Sequence, residues 1–140
     1  MVVLEKDLSK AYNGKIDLVT TPSGELTAMA HANNCTGEYD KWIKLFGEAI
    51  AACGFTVDKS TLYQTLLGAA LKGDKDCGGC IPYNYISGES MTGINEGRPL
   101  FVRTQDASFT LANFMRGQLF TALGALRTGM DILFNQENVK

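Results

Sequence analysis

The last third of the chain carries an apolar stripe with the spacing of one face of an α-helix. The stripe predicts one long helix from about Ser108 to Phe134. Such a helix is stable in water when its apolar face packs against other elements, so the rest of the chain has to supply that surface. The predicted face consists of Leu111, Phe114, Met115, Leu119, Ala122, Leu123, Leu126, Met130 and Leu133.

A shorter helix is predicted before the middle of the chain. Thr36 is its expected N-cap, Glu38 and Asp40 place negative charge in its first turn, and Gly54 is the glycine that ends it. Its predicted apolar face consists of Trp42, Leu45, Phe46, Ala49, Ile50 and Cys53.

A third helix is predicted to begin at Asp58 or Ser60 and to run to Lys72, with Gly73 after its end. Its apolar stripe consists of Leu62, Leu66, Ala69 and Ala70.

The remaining segments have the composition of strands and turns. "MVVLEK" predicts a strand over residues 2–5, and "IDLVTTPSGELTAMAHA" predicts a hairpin around the turn 21–24, with its second strand from Leu26 to His31. "CIPYNYISGES" and "LFVRT" predict two more strands, separated by the glycine-rich turn segment "MTGINEGRP". The predicted order is β-ββ-α-α-β-β-α, which is an α/β chain.

Composition and charge exclude some classes of function. The chain has 140 residues and a net charge of −2, with 13 basic and 15 acidic residues of mixed order. That length suggests one domain, and the absence of a basic block gives no electrostatic reason to expect nucleic acid as a partner. No apolar run is long enough to predict a membrane span, and the N-terminus does not have the pattern of a signal peptide. We expect a cytoplasmic protein with no membrane partner.

The Cys77-Gly-Gly-Cys80 segment raises the question of a redox or metal site. A redox dithiol needs a helix after its first cysteine to lower the thiol pKa, whereas an extended segment is predicted here. A structural zinc site needs four ligands, and the candidates are limited to the four cysteines and His31. Cys53 is expected to pack as a small apolar residue. We therefore predict no metal and no catalytic disulfide.

His31 is expected to be packed or hydrogen-bonded at the end of a strand, with a catalytic role as the alternative.

The segment "GCIPYNYISGES", residues 79–90, resembles the Gly-x-x-x-Leu-Pro-Tyr-x-x-Gly-Glu-Arg segment of the FGGY family of carbohydrate kinases. As in that family, a variable loop, a short strand and a long helix follow. Upstream, "GELTAMAHANNCTGEYDKWIKLF" resembles the family's strand, glycine turn and tryptophan-bearing helix. The resemblance extends over nearly the whole chain and is greatest to the xylulokinase-like branch.

This resemblance implies a fold and a reaction. The fold would be part of the C-terminal, nucleotide-binding domain of the actin-like (ribonuclease H-like) sugar kinase fold, with residues 1–140 as a single partial domain. The reaction would be phosphorylation of a ketopentose of the xylulose type, with ATP and Mg²⁺ in the intact kinase. The catalytic aspartate, the phosphate hairpin and the adenosine loop would lie outside this chain, so the chain alone is expected to be inactive. The resemblance leaves open whether the intact kinase forms a homo-oligomer.

The resemblance also implies one nucleotide contact. Family members have a glycine five residues before the helix tryptophan, and its backbone approaches the ATP phosphates; here that residue is Gly37. Glycine permits such an approach, and a helix N-terminus offers free N–H groups. Thr36 could donate a hydroxyl and Lys41 could add positive charge, although the two nearby carboxylates oppose an anion. The alternative is that Gly37 only relieves crowding.

Two departures from the family pattern leave the sub-branch of the family, and so the exact sugar, open. Glu89 is followed by Ser90 where the family usually has arginine, and the long helix has Phe120-Thr121 where the family often has Glu-Gly. The alternative to a kinase is a noncatalytic binding or assembly module that keeps the fold, and a small zinc protein is a third hypothesis.

Overall fold

The computed structural model describes residues 1–137 and Val139. Its elements follow the predicted order, and each of the predicted strands and helices is present. The strands are β1 (Val2–Val3), β2 (Ile16–Thr20), β3 (Leu26–Ala30), β4 (Cys80–Tyr83) and β5 (Leu100–Arg103), and the helices are α1 (Thr36–Ala52), α2 (Lys59–Leu71) and α3 (Leu111–Asp131). Short 3₁₀ turns at Cys77–Gly79 and Ser90–Thr92 and a π-helical segment at Ile132–Gln136 complete the chain.

The first three strands form an antiparallel sheet in the order β1-β3-β2. Leu18 of β2 and Val2 of β1 both pair with Ala28 of β3. The predicted turn closes the β2–β3 hairpin, because the Gly24 N–H donates to the Thr21 carbonyl at 2.9 Å. The first strand is shorter than residues 2–5.

The strands β4 and β5 form a separate antiparallel ribbon, in which Ile81 pairs with Val102. The strand predicted over "CIPYNYISGES" stops at Tyr83 because the backbone soon leaves the extended region: φ is +65° at Tyr85 and +69° at Gly88.

Two hydrophobic clusters make up the core, and α3 contributes to both. The first lies between the three-stranded sheet and the C-terminal half of α3, and its buried members are Leu4, Ile16, Ala28, Met91, Ala125, Ile132 and Leu133. The second lies among the three helices, and its buried members are Tyr39, Ile43, Leu62, Leu66, Ala70, Phe114 and Met115. The rings of Trp42 and Phe114 meet edge to face at 4.9 Å, where α1 crosses α3.

The helix ends partly match the sequence signals. Asp58 caps α2 by accepting a hydrogen bond from the Thr61 N–H at 3.1 Å, so the helix begins at Lys59, between the two predicted starts. The prediction of Thr36 as the cap of α1 is wrong by one residue: Cys35 occupies that position and makes no side-chain cap bond to a described residue. The long helix is capped by Thr110 and begins at Leu111, three residues later than predicted.

The predicted apolar face of α1 needs correction. Tyr39 and Ile43 are the buried apolar residues of this helix, whereas Leu45, Ala49 and Cys53 are exposed. The expectation that Cys53 packs as a small apolar residue is therefore wrong. Trp42, Phe46 and Ile50 of the predicted face do pack against the second cluster, so the packed side of α1 is the predicted stripe rotated toward Tyr39 and Ile43.

The N-terminal segment is held by one buried carboxylate. Glu137 accepts hydrogen bonds from the Ser9 N–H at 2.8 Å, from the Ser9 hydroxyl at 2.6 Å and from the Tyr12 hydroxyl at 2.5 Å. The hydrogen bonds from Ser9, and then that from Tyr12, lower the pKa of Glu137 to about 2. We refer to Ser9, Tyr12 and Glu137 as the N-terminal clamp, because they join the segment before β2 to the end of the chain.

Candidate functional site

The three residues predicted to contact a nucleotide lie together at the start of α1. Thr36 is the first residue of this 17-residue helix, Gly37 is the second, and Lys41 follows one turn later. All three are exposed. The first N–H groups of a helix have no intrahelical partner and carry a partial positive charge, so this end of α1 can bind an anion through its backbone.

The structure provides no packing reason for a glycine at position 37. A Cβ atom built on Gly37 would meet nothing within 4 Å, and its φ lies outside the left-handed range that favours glycine. Gly47, on the same helix, is different, because its Cβ would lie 3.2 Å from the Leu62 side chain. The alternative in which Gly37 relieves crowding inside this chain is therefore not supported.

Two carboxylates lie close to the α1 N-terminus, and each is held away from solvent or already bonded. Glu38 is 6% exposed, and its Oε2 atom has no hydrogen-bond partner among residues 1–137 and Val139. Asp40 accepts a hydrogen bond from the Tyr63 hydroxyl of α2, and that bond raises the pKa of Tyr63. Lys41 is exposed one turn into the helix, close to the exposed Asp40 and to the buried Glu38.

The loop before α1 is fixed by the "SGES" segment. The Asn34 side chain accepts a hydrogen bond from the Ser87 N–H at 2.9 Å and donates one to the Gly88 carbonyl. The Asn33 N–H donates to Glu89 Oε2 at 2.9 Å, and Glu89 is completely buried. Sequence reasoning missed this contact, although two adjacent asparagines before a helix start are a signal for side-chain bonds to the backbone of a loop.

The "SGES" segment is in turn held by backbone contacts that require glycine. A Cβ atom on Gly88 would lie 2.4 Å from the Asn95 carbonyl oxygen, and a Cβ atom on Gly97 would lie 1.1 Å from the Tyr85 carbonyl oxygen. Between them, Glu89 and Ile94 exchange a pair of backbone hydrogen bonds. The two loops, residues 85–89 and 94–97, therefore form one close-packed unit that positions the start of α1.

A small apolar cavity lies beside the same helix end. Its volume is about 150 Å³, and it is bounded by the start of α1, by α2 and by α3. Its lining residues are Cys35, Thr36, Tyr39, Asp40, Tyr63, Leu67, Leu119, Ala122 and Leu123. Burial raises the pKa of Tyr39, whose hydroxyl has no partner among the described residues. The α1 N-terminus thus combines exposed N–H groups with an adjacent apolar recess.

The cysteine segment has the features of an ordinary tight turn. Cys77 and Cys80 are free and buried, and burial raises the pKa of the Cys77 thiol, which is the opposite of what a reactive thiol needs. Backbone φ is positive at Cys77, Gly78 and Gly79, and β4 follows directly. The extended segment predicted after Cys80 is confirmed, whereas the absence of a metal and of a catalytic disulfide stays a prediction.

His31 lies beside a carboxylate at the end of β3. Its Nε2 atom lies 2.8 Å from Asp17 Oδ2, and both side chains are about half exposed. In the described part of the chain, no three His, Cys, Asp or Glu side chains are close enough together to hold a metal ion. None of the helices that the structure describes has the length and apolarity needed to cross a membrane.

Comparisons with known proteins agree with the fold. The model of the C-terminal domain of the FGGY family of carbohydrate kinases matches residues 2–140. The search among curated proteins found no match. Among solved structures, the crystal structure of xylulose kinase from Bifidobacterium adolescentis is similar, with a TM-score of 0.59 and 19% sequence identity.

The aligned region covers 89% of this chain but 22% of the Bifidobacterium kinase, so the chain spans about a fifth of the length of that protein. At this identity the similarity supports the fold, and the family match covers nearly every residue. The chain belongs to the FGGY family of carbohydrate kinases, and it corresponds to that family's C-terminal domain.

Proposed function

We propose that this chain forms one wall of the ATP site in a sugar kinase, with the start of α1 against the nucleotide phosphates. The observation that carries the proposal is the exposed N-terminus of α1, at which Gly37 has open space where a side chain would project. A phosphate group can approach backbone N–H groups closely only where no side chain intervenes.

Each residue of the site has a role that follows from its position. The N–H groups of the first turn would donate to phosphate oxygens, and the Thr36 hydroxyl would add one donor. Lys41 would contribute positive charge from the next turn. In phosphoryl transfer the protein mainly positions the reacting groups and neutralises charge, so these contacts would align the phosphates without any proton transfer by this chain.

A magnesium ion accompanies ATP in kinase reactions and neutralises charge on the phosphates. The residues near the α1 N-terminus do not fit a protein-held magnesium site, because Glu38 is buried and an oxygen of Asp40 is bonded to Tyr63. No step is therefore assigned to a metal bound by this chain.

The proposed acceptor is a ketopentose of the xylulose type, supported by the resemblance to the xylulokinase-like branch and by the likeness to the Bifidobacterium enzyme, which is a xylulose kinase by name. The catalytic base would come from another part of the kinase, so we expect the isolated chain to release no ADP above background with xylulose, ATP and Mg²⁺.

The test uses a full-length kinase that contains this domain. Gly37→Val should raise the KM for ATP and lower kcat, because a branched side chain would displace the phosphates, while the KM for the sugar should change little. Gly124→Val is the matched control: Gly124 is also a helical glycine whose Cβ meets nothing within 4 Å, but it lies on α3.

Both variants should have similar melting temperatures, and only Gly37→Val should alter ATP kinetics. A folded Gly37→Val enzyme with wild-type kcat and wild-type KM for ATP would remove the α1 N-terminus from the site.

A second candidate, a noncatalytic module, is favoured by the buried carboxylate of Glu38 behind the proposed phosphate position. It would be supported if the full-length wild-type protein bound no ATP.

A further inference from the structure

The turn before β2 contains the sequence Asn13-Gly14, which is the one Asn–Gly pair in the chain. Both residues are exposed. The Lys15 N–H donates to the Tyr12 carbonyl at 2.8 Å, so the pair occupies the two central positions of a β-turn, and Gly14 has a φ of +71°. A Cβ atom on Gly14 would meet nothing within 4 Å.

An asparagine followed by glycine can modify itself. The Gly14 main-chain nitrogen gives up its proton to hydroxide and attacks Asn13 Cγ, so that a new N–C bond forms. The Cγ–Nδ2 bond then breaks, and the leaving NH₂ group takes a proton from water and departs as ammonia, which regenerates the hydroxide. The product is a five-membered succinimide. Water then opens this ring at either carbonyl, which leaves aspartate or isoaspartate, and in isoaspartate the main chain runs through the former side chain.

Nothing in the structure shields the reacting atoms. In the described part of the chain, the Gly14 N–H makes no hydrogen bond, and no side chain covers the glycine. Every other asparagine is followed by a residue with a side chain, which crowds the attacking nitrogen. The combination of an exposed asparagine, a free N–H and an uncrowded glycine occurs at this turn.

We propose that Asn13 is a site of spontaneous deamidation, and that its isoaspartyl product weakens the N-terminal clamp. The turn is short and is anchored on both sides. On one side Tyr12 donates to Glu137, and on the other Ile16 begins β2 and is buried in the first cluster. Isoaspartate adds one methylene to the main chain between these anchors, so both cannot keep their present positions.

The aspartyl product has a different effect from the isoaspartyl product. It leaves the length of the main chain unchanged and adds one negative charge. Lys10 and Lys15 border the same surface depression as Asn13, so the added charge lies near two cations. The aspartyl product, which changes only the charge, should therefore be tolerated. The isoaspartyl product should lower the stability because its main chain is longer.

The experiment ages the 140-residue chain at mildly alkaline and at mildly acidic pH and maps the peptides by mass. At alkaline pH we expect loss of the unmodified Asn13 peptide, a mass gain corresponding to replacement of NH₂ by OH, and labelling by an isoaspartyl methyltransferase. Asn95 is the internal control, because it is exposed but followed by Glu96. Asn13→Gln should abolish the isoaspartyl label.

Thermal melting separates the two products. Aged wild-type protein should melt at a lower temperature than fresh protein, and the Asn13→Asp variant should melt with the fresh protein. The proposal is overturned if Asn13 is modified no faster than Asn95, or if Asn13 stays intact in the folded chain while the urea-unfolded chain is converted. An aged, isoaspartyl-containing protein with an unchanged melting temperature would overturn the link to the clamp.

Discussion

Among the glycines of the structure, Gly97 is the one at which an added Cβ atom would lie nearest to another backbone atom. A Cβ atom there would lie 1.1 Å from the Tyr85 carbonyl oxygen, 2.0 Å from the Tyr85 carbonyl carbon and 2.9 Å from the Ile86 nitrogen. All three atoms belong to the backbone, so no side-chain rotation can remove the overlap. The substitution Gly97→Ala must therefore separate the two loops by more than 2 Å to reach an ordinary contact distance.

That separation has two costs. Overpacking of a buried position costs about 1–3 kcal/mol, and this overlap is severe enough to place Gly97→Ala at the upper end. The two loops also exchange backbone hydrogen bonds between Glu89 and Ile94, whose loss costs about 1 kcal/mol each. The expected loss of stability is about 3–5 kcal/mol. A domain of 140 residues has an unfolding entropy of about 0.3 kcal/mol/K, so the melting temperature should fall by about 10–17 °C.

The matched control is the same chemical change at Gly124. This glycine lies inside α3, its Cβ would meet nothing within 4 Å, and its φ is not in the left-handed range. Alanine is favoured over glycine in a helix interior by about 0.8–1 kcal/mol, so Gly124→Ala should raise the melting temperature by about 3 °C.

Thermal unfolding followed by circular dichroism measures both variants, and urea titration supplies the free energies. Amide exchange of Glu89 adds a local readout, because its N–H should become less protected in Gly97→Ala and stay protected in Gly124→Ala. A Gly97→Ala protein that melts within about 3 °C of wild type would refute the close approach of the two loops.

Two further predictions concern titratable groups. The hydrogen bonds from Ser9 and Tyr12 lower the pKa of Glu137 to about 2, so its contribution to stability is complete above its unfolded pKa of about 4.5 and is lost as the pH falls toward 2. Urea midpoints of wild type should decline over this range more steeply than those of Glu137→Gln, and parallel curves would contradict the clamp. Cys53 is exposed and Cys77 is buried with a raised pKa, so a thiol reagent should label Cys53 first in the folded protein. Mass mapping identifies the order, and early labelling of Cys77 would contradict it.

The features that were predictable from the sequence are those set by neighbouring residues. The start of α2 near Asp58 and the hairpin turn that ends at Gly24 depend on a few consecutive residues, and both are observed. The order of strands and helices follows from apolar periodicity in the same local way.

The buried face of α1 was predicted less well because it depends on distant elements. The predicted stripe and the packed face share Trp42, Phe46 and Ile50. They differ because the predicted stripe extends to Leu45 and Ala49, whereas the packed face extends to Tyr39 and Ile43. The choice between them is made by where α2 and α3 lie, which local periodicity does not contain. The contacts of Asn34 with the "SGES" segment cross more than fifty positions of sequence. The adjacent asparagines indicate side-chain bonds to a loop, but they do not indicate which loop.

These contacts explain the glycine and the glutamate of residues 79–90, the segment that resembles the family pattern. Gly88 is needed for a close backbone approach, and Glu89 is buried and accepts the hydrogen bond that fixes Asn33 before α1. Ser90, which departs from the arginine of the family pattern, is exposed and opens a short 3₁₀ turn. The departure therefore lies outside the contacts that hold the start of α1. If the proposed phosphate site is correct, the glycine and glutamate of this segment act as positioning residues for Gly37, and the change at position 90 leaves that positioning intact.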